Sequence, residues 1–256
     1  MPVNYVSTED AIASSGLRMV VVGNVPSPWG EAAKGVLHIK GIDWSAVRLA
    51  YDEPAQTDWA GSQSGPVAIY NDEAPRNGWA DILLLAERLA PEPALIPADA
   101  ESRALMFGYC HELLGEQGLA WSRRLQQVHI GLSGEGGFDT RVAHYLAGKY
   151  GHTAELGEAA SARTIALLNM FSNRLKSQQA AGSEYYIGPT PTAADVYSAA
   201  VTALFAPLPE AQCAMNPTTR AAFESLDDAT RAALDPVLLV HRDKMYERHL
   251  ELPLSL

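Results

Sequence analysis

The sequence predicts an α/β domain followed by an all-α domain, and three observations carry that expectation. A β-branched run closed by glycine, Leu17-Arg18-Met19-Val20-Val21-Val22-Gly23, precedes a serine–proline helix start and then a second apolar run, which is the pattern of a βαβ unit. The stretch Pro91-Glu92-Pro93-Ala94-Leu95-Ile96-Pro97 cannot continue a helix, because its prolines remove N–H donors and restrict the residues before them. Beyond it alanine, leucine, glutamate and arginine dominate, and β-branched runs disappear.

Taken in order, residues 1–16 form a leader, and Leu17 to Gly23 reads as a strand buried on both faces. Ser27 suits a helix N-cap and Pro28 the first helical position, so a helix runs to about Lys40 before Gly41 ends it. Ile42 to Leu49 supplies a second strand, parallel to the first because a crossover joins them. The polar stretch Asp52 to Gly65 has room for a short irregular helix at most, before a strand over Pro66 to Tyr70 and a turn over Asn71 to Glu73. Trp79, Ile82, Leu83, Ala86 and Leu89 share one helical face and close the α/β domain, 17–90. Residues 91–98 form a linker, and the all-α domain covers 99–256. Its expected helices are 101–114, 119–130, 140–150, 155–178, 192–204, 218–233 and 236–249.

Composition narrows the function. With 256 residues, 47% apolar, the chain has material for a sizeable core. A net charge of −11 and the lack of any basic run argue against nucleic acid or an anionic membrane as partner, since both carry phosphates. Cys110 and Cys213 are too few and too far apart for a disulfide framework or a zinc cluster, so a reducing, cytoplasmic setting and no metal are expected. The glycine-rich Gly131-Leu132-Ser133-Gly134-Glu135-Gly136-Gly137 misses the G-x-S-x-G elbow and reads as a helix connection.

Four local patterns then converge. They are Ser27-Pro28-Trp29 with Lys40-Gly41-Ile42; Pro66-Val67; Leu85-Ala86-Glu87-Arg88-Leu89 with Leu95-Ile96-Pro97; and Tyr186-Ile187-Gly188 followed by Thr192-Ala193-Ala194-Asp195-Val196-Tyr197. Together they resemble the cytosolic glutathione transferases, and the first resembles the serine-type members of the plant tau class. The resemblance implies a thioredoxin-like domain that binds glutathione, an α-helical domain that houses a small apolar electrophile, a homodimer, and a role in detoxification.

The resemblance also places the chemistry. The thiolate, not the thiol, is the nucleophile, and a hydroxyl at a helix N-terminus stabilises such an anion. Ser27 is the residue so placed, with Tyr5 as a lesser competitor; the bland reading of Ser27 is a plain helix cap. Gly65 and Pro66 stand at the family's cis-proline turn, where the backbone pairs with the peptide of glutathione, and Trp29 borders the same place. Gly65 replaces a bulky aliphatic residue, and Asn77-Gly78 replaces the Glu-Ser pair that grips the γ-glutamyl end. The glutathione-contacting set is thus Trp29, Gly65, Pro66, Asn77 and Gly78, with Met106, Tyr109 and Cys110 as candidate lining for the electrophile. Thr192 and Asp195 read as a structural capping box. The main expectation is an enzyme that conjugates or otherwise uses glutathione thiolate; the alternative is a non-catalytic protein of the same fold that binds apolar ligands.

Overall fold

In the computed structural model, which describes residues 3–256, four strands make one mixed sheet. They are β1 (Asn4–Tyr5), β2 (Leu17–Val21), β3 (Trp44–Arg48) and β4 (Val67–Tyr70), in the order β1-β3-β2-β4. β3 runs parallel to both β1 and β2, while β4 is antiparallel to β2. The first residues, expected as a leader, therefore supply the edge strand, followed by helix α1 (Thr8–Ala13) capped by the Ser7 hydroxyl. A strand of two residues has too little alternation to be seen in sequence.

All five residues of β2 are buried, and their alternation splits them between two cores. Leu17, Met19 and Val21 face the main core, whereas Val20 packs with Ala11, Val47, Ala60, Val67 and Ile69. That smaller core is covered by α1 and by α3 (Pro54–Ala60), a regular helix where the sequence suggested an irregular one; Gly61 ends it at φ 64°. On the other face lie α2 (Pro28–Ile39) and α4 (Trp79–Leu89). After the turn at Asn71 the chain pairs back on β4 through a single bridge between Ala68 and Arg76, because Pro75 beside it has no N–H to give a ladder.

The helical part comprises α5 (Ala100–Leu114), α6 (Leu119–Ser133), α7 (Thr140–Tyr150), α8 (Ala154–Ala180), α9 (Ala193–Thr202), α10 (Pro217–Glu224), α11 (Asp228–Ala233) and α12 (Pro236–His249). The helix expected over 218–233 is thus two helices. Arg123 of α6 takes the carbonyls of Phe223 (3.1 Å) and Ser225 (2.7 Å), and Asp227 caps α11 by accepting from Thr230 N–H (2.7 Å).

Two features fix the helical part on the sheet. A Cβ at Gly35 would lie 2.8 Å from Val196 Cγ1, so glycine lets α2 approach α9 closely. Buried Lys40 reaches the carbonyls of Ala90 (2.6 Å) and Pro93 (2.9 Å) and pairs with Glu87 (2.8 Å), which itself accepts from Leu95 N–H. The Lys40-Gly41-Ile42 pattern therefore ends α2 by tying it to the chain that leads into the bundle.

Asp195 is bound more deeply than a capping box requires. Its carboxylate, 0% exposed, accepts from the backbone N–H of Thr192 (2.8 Å) and Tyr186 (2.9 Å) and from the Thr192 hydroxyl (2.9 Å), and it pairs with His241 Nε2 (2.9 Å) of α12. One side chain thus joins the loop before α9 to the last helix.

Candidate functional site

The register of β2 and β4 sets where the site forms. Val20 pairs with Val67, so the chain leaving β2 and the chain entering β4 meet at one end of the sheet. The first carries Ser27 into the start of α2, and the second contains the cis Gly65–Pro66 bond. The Ala68–Arg76 bridge then returns Asn77 to the same end.

A cavity of about 890 Å³ opens there, and Ser27, Trp29, Gly65, Pro66 and Asn77 all line it. Ser27 holds the N-cap position of α2 with extended backbone (φ −65°, ψ 122°), yet its side chain makes no capping hydrogen bond. Its carbonyl accepts the first helical bond, from Glu31 N–H at 2.7 Å. The hydroxyl is therefore uncommitted beside the free N–H groups of a helix start. Trp29 donates its indole N–H to the Leu114 carbonyl (2.7 Å) and sets its ring 6.0 Å from that of Tyr150, which makes it a wall between the two parts of the chain.

Two glycines have local reasons. A Cβ at Gly65 would stand 3.1 Å from the Val20 carbonyl oxygen and 3.4 Å from Val21 Cα, so a side chain there would press on the β2 backbone. Gly78 is the N-cap of α4 and is not among the lining residues; a Cβ there would lie 2.8 Å from Asp81 Oδ2. The sequence reading missed Asp81, whose carboxylate lies over the α4 N-terminus.

Other candidates lie elsewhere. The Tyr5 hydroxyl donates to the Ser255 carbonyl (3.2 Å), and its ring carries the Arg48 guanidinium, away from the cavity. Met106 and Cys110 are both 0% exposed and belong to the core, and Tyr109 packs on Phe171 and Tyr186, so α5 does not form the wall expected of it. Residues of α6, α7 and α10 line the cavity in its place. Burial, reinforced by the charge of Asp195, raises the Cys110 thiol well above its usual range, and Cys213 is buried too. Both thiols are expected to stay unreacted with an aromatic disulfide reagent in the native protein and to react once denaturant is added. Rapid native labelling would place a thiol within reach of solvent.

The α6 wall contributes Trp121 and Arg124, with Phe138, Arg141, Lys149 and Tyr150 from α7 and its approach. Arg124 is 7% exposed and lies over the rings of Phe138 (5.1 Å) and Phe223 (5.3 Å). Burial lowers its pKa, with the neighbouring Tyr150 hydroxyl acting in the opposite sense. Burial also lowers the Lys149 ammonium, and the Arg124 charge adds to that. The sequence reading gave a helix over 119–130 without singling out Arg124; the available signal was the pair of Arg/Gln spacings in α6, Arg123 with Gln126 and Arg124 with Gln127.

No family model matches the chain, and no curated protein matches it. Solved structures do. A glutathione transferase family member from Pseudomonas fluorescens, with two glutathione bound, is 14% identical over 94% of each chain at a TM-score of 0.62. A glutathione S-transferase from Methylobacterium radiotolerans, in complex with glutathione sulfonate, is 18% identical over 91% of this chain and 92% of its own, at a TM-score of 0.60. The chain has the glutathione transferase fold. The β-etherase LigF from a Sphingobium species shares that fold too, at 14% identity and a TM-score of 0.58 over 89% of this chain and 99% of its own. Within the glutathione transferase fold of this protein, the cavity lies where the sheet end, the α2 N-terminus and the helical wall come together. No helix among the described residues is long and apolar enough to cross a membrane.

Proposed function

We propose that the cavity binds glutathione and presents its sulfur, as thiolate, to a small apolar electrophile. The observation that carries this reading is the Ser27 hydroxyl, at the N-cap of α2 but making no capping bond, in the wall of the cavity. Solved proteins of the same fold that hold glutathione support it. A free thiol, with a pKa of about 8.5, is mostly protonated at neutral pH. Ser27 would donate a hydrogen bond to the sulfur anion, and the positive end of α2 would add to the stabilisation. In a conjugation, sulfur bonds to the electrophilic carbon, a leaving group such as halide departs with its bonding pair, and the thiol proton goes to solvent. Ser27 keeps its own proton throughout, so no histidine or carboxylate partner is required.

The remaining contacts follow from the same placement. Gly65 offers backbone groups to the cysteinyl peptide beside Pro66, Trp29 borders the sulfur, and Asn77 donates to the γ-glutamyl carboxylate near the Gly78 helix start. Asn77→Ala is expected to weaken glutathione binding by ~0.5–1.5 kcal/mol, the net value of one hydrogen bond. Gly78→Ser is expected to tighten binding through an added hydroxyl, with Asp81 swinging aside. Both belong in the dissociation constant, with turnover of the bound complex unchanged. We also propose a cytoplasmic homodimer, testable by light scattering of the purified protein.

A second reading, a non-catalytic binding protein for apolar ligands, is favoured by one feature: Asn77-Gly78 offers no carboxylate at the γ-glutamyl position. Calorimetric titration with glutathione, followed by an aryl-halide conjugation assay, separates the two. Saturable binding with turnover supports the enzyme. Absence of binding at millimolar glutathione, unaltered by Asn77→Ala or Gly78→Ser, overturns it in favour of the binding protein.

A further inference from the structure

A charged side chain buried without a counter-ion is costly, and a folded protein normally satisfies it with acceptors. Two neighbouring arginines of α6 show the contrast. Arg123, 0% exposed, donates to the carbonyls of Leu204, Phe223 and Ser225 and to Gln126 Oε1. Arg124, 7% exposed, donates from Nη1 to Gln127 Oε1 at 3.3 Å and lies against the Tyr150 hydroxyl, but its Nε has no partner. Among the described residues no carboxylate forms an ion pair with it. Tyr150, Phe138 and Phe223 hold its guanidinium in place, and it lines the cavity.

The charge around it has one sign. Arg141 and Lys149 also line the cavity, against a single carboxylate, Asp139. That carboxylate is engaged at the start of α7, where it accepts from the N–H groups of Arg141 (2.9 Å) and Val142 (3.2 Å). In a chain of net charge −11, a cavity with an excess of cations is a local reversal that attracts anions. The wall also carries aromatic rings: Trp121 and Tyr150 meet edge-on at 4.9 Å, and Trp29 lies 6.0 Å from Tyr150. Flat apolar surface beside a fixed guanidinium fork matches an aromatic ring that bears a carboxylate or sulfonate.

We propose that the helical wall of the cavity is an anion subsite, with Arg124 as its centre, that selects aromatic second substrates carrying one negative charge. This rests on the proposed function, in that glutathione is assigned the Ser27 end of the cavity and the acceptor the Arg124 end. Arg124 determines specificity by supplying the charge that the acceptor lacks a partner for in water-poor surroundings, while Lys149 and Arg141 at the mouth guide the anion in.

The test uses a matched pair of fluorescent probes on the full-length protein: anilinonaphthalene sulfonate, and N-phenylnaphthylamine, which has the same rings and no charge. Arg124→Gln is expected to weaken the sulfonate probe by roughly 10-fold or more, the value of a hydrogen bond to a charged group, and to leave the neutral probe within about 2-fold. Arg124→Lys, which keeps charge but not the fork, falls between. If Arg124→Gln does not fold, Lys149→Gln carries the test, with a loss of about 2-fold for the sulfonate probe that disappears at high salt. Equal losses for both probes, or none for either, overturn the proposal. Calorimetry with glutathione on the same variants separates it from the proposed function. A glutathione dissociation constant unchanged by Arg124→Gln is expected, and its collapse would show that the anion held there is a glutathione carboxylate. A wild-type protein that discriminates the probes through Arg124 but binds no glutathione would overturn the proposed function and leave the anion subsite standing.

Discussion

Asp195→Ala is expected to destabilise the protein by about 3–5 kcal/mol, the range seen when one partner of a buried charged network is removed. The variant would leave the N–H groups of Tyr186 and Thr192 and the His241 ring without their shared acceptor, in a place closed to water. That is more than the loss of an isolated helix cap, ~0.5–2 kcal/mol, because the carboxylate also holds α12. Domains have only about 5–15 kcal/mol in total, so the yield of folded protein should fall sharply while activity per folded molecule is kept. Asp195→Asn, which retains shape and one acceptor oxygen, should lie between. Denaturant melts with matched activity measurements check this. A variant as stable as the parent but inactive would move Asp195 from scaffold to site.

Ser27→Ala is expected to show the opposite separation. Its hydroxyl makes no capping bond, so its loss should change stability by no more than about 0.5 kcal/mol. The loss of one hydrogen bond to the sulfur anion is worth about 1.5–3 kcal/mol, or roughly 10- to 150-fold in the thiolate-dependent rate. Activity and melting curves on the same preparation test both halves. A large drop in stability with unchanged rate would return Ser27 to the role of a plain cap.

The parts of the molecule that could be read from the sequence are those whose determinants are local. The face of α4 is set by the spacing of Ile82, Leu83 and Ala86, all buried. The starts of α7 and α12 are set by Asp139 and Asp235, whose side chains accept the first N–H groups of each helix. The sheet end that brings Ser27, Gly65, Pro66 and Asn77 together followed from strand order once the resemblance had placed each segment. What escaped depends on partners distant in the chain. The break between α10 and α11 is made by Arg123, a hundred positions away, drawing carbonyls out of the helix. Arg124 gains its place only through Phe138 and Phe223, 14 and 99 positions along the chain, whose rings lie under its guanidinium. Gly65 lies close under the β2 backbone, 3.1 Å from the Val20 carbonyl oxygen for a Cβ placed there, and no property of Gly65 itself reveals that.

The ultraviolet absorbance of bound glutathione thiolate, followed against pH, reports directly on whether Ser27 holds the sulfur as an anion. With wild-type protein saturated by glutathione, the midpoint should fall below that of the free thiol at about 8.5, and Ser27→Ala should move it back up by about 1–2 pH units. A wild-type midpoint no lower than that of free glutathione, or one that Ser27→Ala leaves in place, would contradict the assignment of Ser27 to the sulfur.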